Sequence, residues 1–246
     1  MQPGQASSAP SPTLARQTTD VNSWPLVGRT ADLSTVLERL DRDAPAAIVI
    51  AGPAGVGKSR LLKEVAARAV ERGWVTRTLI GTRAAASIPF GAVASLLTDR
   101  LEDASSVEIL AHARRALAGA DNEPAPLLIV DDAQRLDPGS AAVVHQVVAE
   151  GCCRLVATMR SGEPVPDAID SLWTSGSAER IELRGLSLAE TGELLAAVLG
   201  GPVDGATRQR FWESTRPRCT GSGKDLESID FAPAHPCCAS GFSTAC

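Results

Sequence analysis

Eight residues between an apolar run and an amphipathic segment constrain this chain more than any other feature. Gly52-Pro53-Ala54-Gly55-Val56-Gly57-Lys58-Ser59 satisfies the pattern G-x-x-x-x-G-K-[ST]. Glycines let such a loop curl so that successive backbone N–H groups point inward. With the positive end of a following helix, those donors cradle an anion such as a polyphosphate. Lys58 adds a mobile positive charge, and Ser59 offers a hydroxyl to a divalent cation. The flanks fit this reading. Ala46 to Ala51 is a short continuous apolar run, as in a strand buried on both faces. From Lys58 to Arg72, Leu61, Leu62, Val65 and Ala69 share one helical stripe, and Gly73 stands in the stop position. A chance match on a Gly-rich turn is the competing explanation; the scarcity of Lys and the strand–loop–helix context disfavour it.

Apolar runs and amphipathic segments alternate around that loop. Ordered structure is expected from Trp24 and Pro25. Thr30 is placed to cap a helix bearing Leu33, Val36, Leu37 and Leu40 at i, i+3, i+4 and i+7. Trp74 to Ile80 reads as a strand, and residues 89–118 as two helices broken near Asp103 to Ser106. Leu127 to Val130 is a second buried strand. Asp137 is the cap of a helix with Pro138 at its first position. Cys152 to Thr158 and Arg180 to Leu183 are further strands. Ser187 and Glu190 form a capping box for a helix through Leu199, and another helix spans Asp204 to Thr215. Strands alternating with helices predict an α/β fold: a parallel sheet covered on both faces.

Two more places carry chemistry. Leu127-Leu128-Ile129-Val130 ends in Asp131 and Asp132. An acid leaving the carboxyl end of a sheet strand stands where ligands of open α/β sheets bind. There Asp131 can hold Mg²⁺ through water, and Asp132 can orient or deprotonate an attacking water. Acids also begin ordinary turns; the phosphate loop upstream tips the balance for Asp131 more than for Asp132. Arg154 to Thr158 leads into Met159 and Arg160. If that strand lies beside the first, Thr158 and Arg160 face the terminal phosphate, where a guanidinium can stabilise phosphoryl charge. Val27-Gly28-Arg29 before the first helix is a weaker signal: an apolar residue and a glycine that let backbone approach a flat base. His112 and His145 lie in helical stretches without a partner at metal spacing.

The 246 residues are 44% hydrophobic with a net charge of −5, which allows one sizeable core and disfavours a broadly basic nucleic-acid surface. There is no run of 18 apolar residues and no secretory leader pattern, so the expected compartment is the cytoplasm, with no membrane partner. Cys152 and Cys153 read as small residues beside a strand. Cys237, Cys238 and His235 lack a second ligand pair, which disfavours zinc. The expected division is a flexible segment over 1–22, a nucleotide-binding domain over 23–185, the start of a helical module over 186–216, and an irregular tail over 217–246.

In order, Trp24-Pro25-Leu26-Val27-Gly28-Arg29, the phosphate loop, Ile129-Val130-Asp131-Asp132-Ala133-Gln134-Arg135-Leu136-Asp137 and Ala157-Thr158-Met159-Arg160 resemble a known module. It is the N-terminal ATPase module of large LuxR-type transcriptional regulators, AAA-like signal-transducing ATPases with numerous domains. Ile181 to Ser187 and Gly200-Gly201-Pro202-Val203 continue the resemblance, which covers residues 24–216. It implies a P-loop NTPase of AAA-like type, with a helix-sandwiched parallel sheet, followed by a small helical module. It implies an ATP- and Mg²⁺-dependent switch, with Val27, Gly28 and Arg29 near the adenine and Arg160 near the γ-phosphate. ATP is favoured over GTP because no Asn-Lys-x-Asp motif is present.

In the family a Gly-Asn-Pro-Leu-like segment follows the helix ending near Thr215. Here Arg216-Pro217-Arg218-Cys219 stands instead, and a shifted reading frame ending a longer protein is the expectation. On that reading the chain binds ATP weakly, hydrolyses it slowly and does not itself read DNA, with self-association left open. A free-standing AAA-type ATPase such as a DNA-replication loader, and an inactive truncated remnant, are the alternatives.

Overall fold

The computed structural model describes residues 24–42, 47–96, 105–117 and 125–215. The unbroken apolar run after the first helix becomes β1 (Ala47–Gly52), buried along its whole length. Side chains alternate across a strand, so β1 contributes Ala47, Val49 and Ala51 to one face of the sheet and Ile48 and Ile50 to the other. The second face is covered by α1 (Thr30–Leu40) and α2 (Lys58–Glu71) through Val36, Leu37, Leu40, Leu61, Leu62, Val65 and Ala69. The first face is covered by α4 (Ser106–Leu117), α5 (Pro138–Ala149) and α6 (Asp167–Thr174). α3 (Arg83–Ala86) is a single turn after β2.

Five parallel strands form one sheet in the order β2-β3-β4-β1-β5. They are β1, β2 (Thr76–Ile80), β3 (Leu127–Asp131), β4 (Arg154–Arg160) and β5 (Ala178–Glu182). The register is what builds a site. Gly52 stands opposite Arg160, and Ile80 opposite Asp131. The phosphate loop, the two acids and Arg160 therefore leave the same carboxyl edge of adjacent strands. After β5 come α7 (Leu188–Leu199) and α8 (Gly205–Thr215). Thr191 is the single fully buried residue of this helix pair, and the Trp212 indole N–H donates to the Leu186 carbonyl at 2.9 Å.

Several expectations hold in detail. Asp137 caps α5 with Pro138 behind it, accepting from the Ser140 N–H at 2.9 Å. The Ser187–Glu190 capping box is present at α7. Other expectations shift. Thr30 is the first helical residue of α1, and Arg29 takes the cap position without a side-chain cap bond. Cys152 and Cys153 lie in the turn after α5, where the Cys152 N–H donates to the Val147 carbonyl, so β4 starts two residues later than the apolar run suggests. Of the helix expected from residue 89, residues 93–96 form a 3₁₀ turn, while residues 97–104, with most of the expected break, lie outside the described residues. α3 and α6 have no counterpart in the sequence reading. α3 is held by Thr82, whose hydroxyl accepts from the Ala85 N–H at 3.0 Å; α6 is fixed by burial of Ile169 and Leu172. The lead-in 1–22 and the tail 217–246 lie outside the described residues. Among the described residues, no helix is long and apolar enough to cross a membrane.

Candidate functional site

Loop curvature comes first. Gly55 and Gly57 have φ of +78° and +92°, a region that favours glycine, and Gly57 opens α2 from there. Gly52 is required for a different reason: a Cβ there would stand 2.6 Å from the Leu183 carbonyl oxygen. Pro53, Ala54 and Val56 complete the loop between β1 and α2. The residue types and turn of this loop thus fit a polyphosphate, because its glycines take the left-handed conformations such a turn needs and α2 starts at its end.

Lys58 is buried to 6% exposure at the first position of α2. Its ammonium donates to the carbonyls of Gly52 at 2.9 Å and Pro53 at 2.7 Å. Burial pulls its pKa below the ordinary lysine value; the negative charges of Asp132 and Asp131 oppose that pull, and Arg160 adds to it. Ser59 follows, with its hydroxyl donating to Asp131 Oδ1 at 2.9 Å across 72 residues of sequence. The buried Thr158 hydroxyl also donates to Asp131 Oδ1, at 2.5 Å, and accepts from the Asp132 N–H at 2.9 Å. Asp131 and Ser59 form an all-oxygen pair, the donor chemistry that Mg²⁺ takes.

Asp132 follows with φ of +54°, a left-handed conformation that Asp tolerates better than most residues. Arg135 Nη1 donates to its Oδ2 at 3.1 Å, and Gln134 Nε2 donates to its Oδ1 at 3.1 Å. Arg160 Nε stands 4.0 Å from Oδ1. The Arg160 guanidinium also pairs with Glu163 at 3.2 Å, while its backbone N–H donates to Gln134 Oε1 at 3.2 Å. Close approach is built in here too, because a Cβ at Gly81 would lie 2.2 Å from the Asp132 carbonyl oxygen.

The segment before α1 joins the site through Arg29, which is 7% exposed. Its guanidinium pairs with Asp32 at 3.1 Å, donates to the Val56 carbonyl of the loop at 3.0 Å, and donates to the Arg184 carbonyl between β5 and α7. Gly28 has φ of +67°, and a Cβ there would meet the Glu190 side chain at 2.8 Å. Val27, half-buried, precedes it. The structure therefore gathers the loop, Lys58, Ser59, Asp131, Asp132 and Arg160 at one edge; Arg29 reaches the loop through Val56, while Gly28 stands against Glu190 of α7 and Val27 precedes it.

Sequence reasoning missed Gln134, Arg135 and Glu190 as members of this constellation. Gln134 and Arg135 stand two and three residues after Asp132, spacing that a tight turn brings back to the acid. Glu190 was legible only as a cap, because its approach to Gly28 depends on tertiary packing.

A protein-family model described as "AAA ATPase domain" matches residues 25–154. A search of curated proteins gives no match. Among solved structures, DnaA bound to AMPPCP and single-stranded DNA is similar with a TM-score of 0.55 and 18% identity, over 76% of this chain and 57% of that one. AMPPCP-bound DnaA from Aquifex aeolicus gives 0.52 and 18%, over 77% and 57%. The Aeropyrum pernix ORC1 protein in complex with DNA gives 0.52 and 17%, over 79% and 52%. The chain thus spans a little over half the length of these structures, and at such identities the likeness carries the fold, that of P-loop NTPases. Since the family match extends over more than half of the sequence and includes the whole phosphate loop, the chain belongs to the AAA ATPase domain family and is a nucleotide-binding domain of that type.

Proposed function

We propose that this domain is the ATP-dependent switch module of a LuxR-type transcriptional regulator, binding ATP with Mg²⁺ and hydrolysing it slowly. The observation that carries the nucleotide part is the hydrogen bond between Ser59 and Asp131, which joins the phosphate loop to the carboxyl end of β3. The regulator context rests on the order of sequence motifs over residues 24–216.

Each residue has a task in this reading. Backbone N–H groups of Gly55, Val56 and Gly57 bind phosphate oxygens, and Lys58 leaves the carbonyls of Gly52 and Pro53 to neutralise the terminal phosphates. Ser59 and Asp131 hold Mg²⁺, which supplies charge neutralisation on the phosphate oxygens when bound. Thr158 orients Asp131 by its hydroxyl. Asp132 orients water as the general base, and Arg160 stabilises charge on the γ-phosphate. Val27 and Gly28 border the adenine, while Arg29 fixes that segment to the loop and to the start of α7. Residues 23–185 form the nucleotide-binding domain, and 186–216 begin the helical module.

Isothermal titration with ATP and ADP, with and without Mg²⁺, tests the proposal on the whole chain. Binding that requires Mg²⁺ for full strength and disappears in Lys58→Ala supports it; a folded chain that takes up no nucleotide at millimolar concentration overturns it. A second reading, a free-standing AAA-type ATPase acting on DNA, is favoured by the DNA complexes among the similar structures. Multiple-turnover hydrolysis that DNA stimulates would select it.

A further inference from the structure

Two cations, Lys58 and Arg160, are assigned to the terminal phosphates above, and one acid beside them has no task yet. Asp131 is joined to Ser59, and Asp132 is paired with Arg135 at 3.1 Å. Glu163 differs: among the described residues its ion-pair partner is Arg160, with Oε1 3.2 Å from Nη1. A turn puts it there. β4 ends at Arg160, Gly162 takes a φ of +85°, and the Glu163 N–H comes back to the Arg160 carbonyl at 3.5 Å. This turn is fastened to the phosphate loop. The Ser161 N–H donates to the Gly52 carbonyl at 3.1 Å, the same carbonyl that accepts from the Lys58 ammonium. The charge of Glu163 reaches Lys58 as well, where it favours the protonated form against the pull of burial and of Arg160. One carboxylate thus offsets the field of both cations.

We propose that Glu163 is a specificity-determining residue that lowers the preference of this site for ATP over ADP. The inference rests on the function proposed above and deepens it. ATP carries one phosphoryl group more than ADP, and with it more negative charge, whether or not Mg²⁺ is bound. That added charge is the part of the nucleotide given to Lys58 and Arg160. An anion paired with Arg160 repels it and cancels some of the attraction, while phosphates farther along the loop feel less of that repulsion. Selectivity is a difference between two affinities, and repulsion of one ligand sets it as well as attraction of the other. With the preference held low, occupancy of the site follows the ratio of the two nucleotides.

Isothermal titration of the whole chain with ATP and with ADP, both with Mg²⁺, compares wild type with Glu163→Gln, Glu163→Lys and Glu182→Gln. The Glu163 side chain is 41% exposed, so its charge is partly screened and its effect is modest. Glu163→Gln is expected to tighten ATP about threefold and ADP by less than about 1.5-fold. Glu163→Lys should move the ratio further in the same direction. The gain should shrink as salt rises from about 0.1 M to about 1 M, where the screening length falls from about 10 Å to about 3 Å. Glu182 is the control. It accepts from the Ser161 hydroxyl and pairs with Arg180 at 3.2 Å, so Glu182→Gln should leave the ratio as in wild type. A ratio unchanged in both Glu163 variants, moved as far by Glu182→Gln, or shifted equally at both salt concentrations overturns this role of Glu163 and leaves nucleotide binding in place. A folded wild-type chain that takes up neither nucleotide overturns both the role and the function on which it rests.

Discussion

Replacing Arg29 tests whether one side chain ties three segments together. Arg29→Ala removes two hydrogen bonds from a charged donor to the carbonyls of Val56 and Arg184, and an ion pair with Asp32. Hydrogen bonds to charged groups contribute about 1.5–3 kcal/mol each. Water recovers part of this, since Arg184 is exposed and Val56 half-buried. Asp32 is about a third exposed, so its pair with Arg29 adds ~0.5 kcal/mol at most. The net loss is expected at about 2–4 kcal/mol. For a domain of this size that lowers Tm by about 5–12 °C. Urea unfolding followed by circular dichroism reads the loss as a lower midpoint with an unchanged slope. Asp32→Ala is the control and should cost under ~1 kcal/mol. Arg29→Lys should fall between, because Nη2 serves both carbonyls while Nη1 serves Asp32, and a single ammonium nitrogen does not supply both positions. Arg29→Ala within ~0.5 kcal/mol of wild type, or Asp32→Ala as costly as Arg29→Ala, would refute the three-way tie.

Asp137 offers a pH test. Burial alone would raise its pKa, but hydrogen bonds from Ser140, Phe90 and Ala92 outweigh that and hold it below the usual carboxylate value. A depressed carboxyl stabilises the fold above its unfolded pKa and loses that contribution as pH falls through the folded one. The stability gap between wild type and Asp137→Asn should therefore be constant at neutral pH and close below about pH 4; a gap that persists at pH 2 in folded protein contradicts this. Lys58 is shifted in the same direction for a different reason, since burial disfavours its charged form. Its folded pKa lies below 10.5, so the unfolded chain binds the proton more readily. The stability of wild type relative to Lys58→Met should rise as pH climbs toward 10.5, and a difference that stays flat all the way to pH 10.5 in folded protein contradicts the lowered pKa.

Most of the sheet was legible because burial on both faces leaves continuous apolar runs, as in Ile48-Val49-Ile50 and Leu127-Leu128-Ile129-Val130. Side chains that cap helices, Asp137 and Ser187, were legible for a local reason: their partners stand three residues away. The loop and its two acids carry fixed spacing, so their residue types could be read directly. What lay beyond reach was long-range. For Arg29, the segment before α1 could be read from the sequence, but not that its guanidinium serves carbonyls 27 and 155 residues distant. Strand β4 was placed two residues early because Cys152 and Cys153 are apolar in character, whereas the backbone at Cys152 closes the end of α5. The single-turn α3 has no amphipathic period to detect.

The helices α7 and α8 rest mainly on each other, with Thr191 alone fully sequestered. Apolar burial is what makes a unit open only with the whole molecule, and this pair has little of it. Its amide hydrogens should exchange through a separate, cheaper opening than those of β1, whose six residues are all buried. The C-terminal end of the described chain would then come loose and re-form while the sheet stays intact, with the Arg184 carbonyl and the Leu186 carbonyl as the two seams along which it parts.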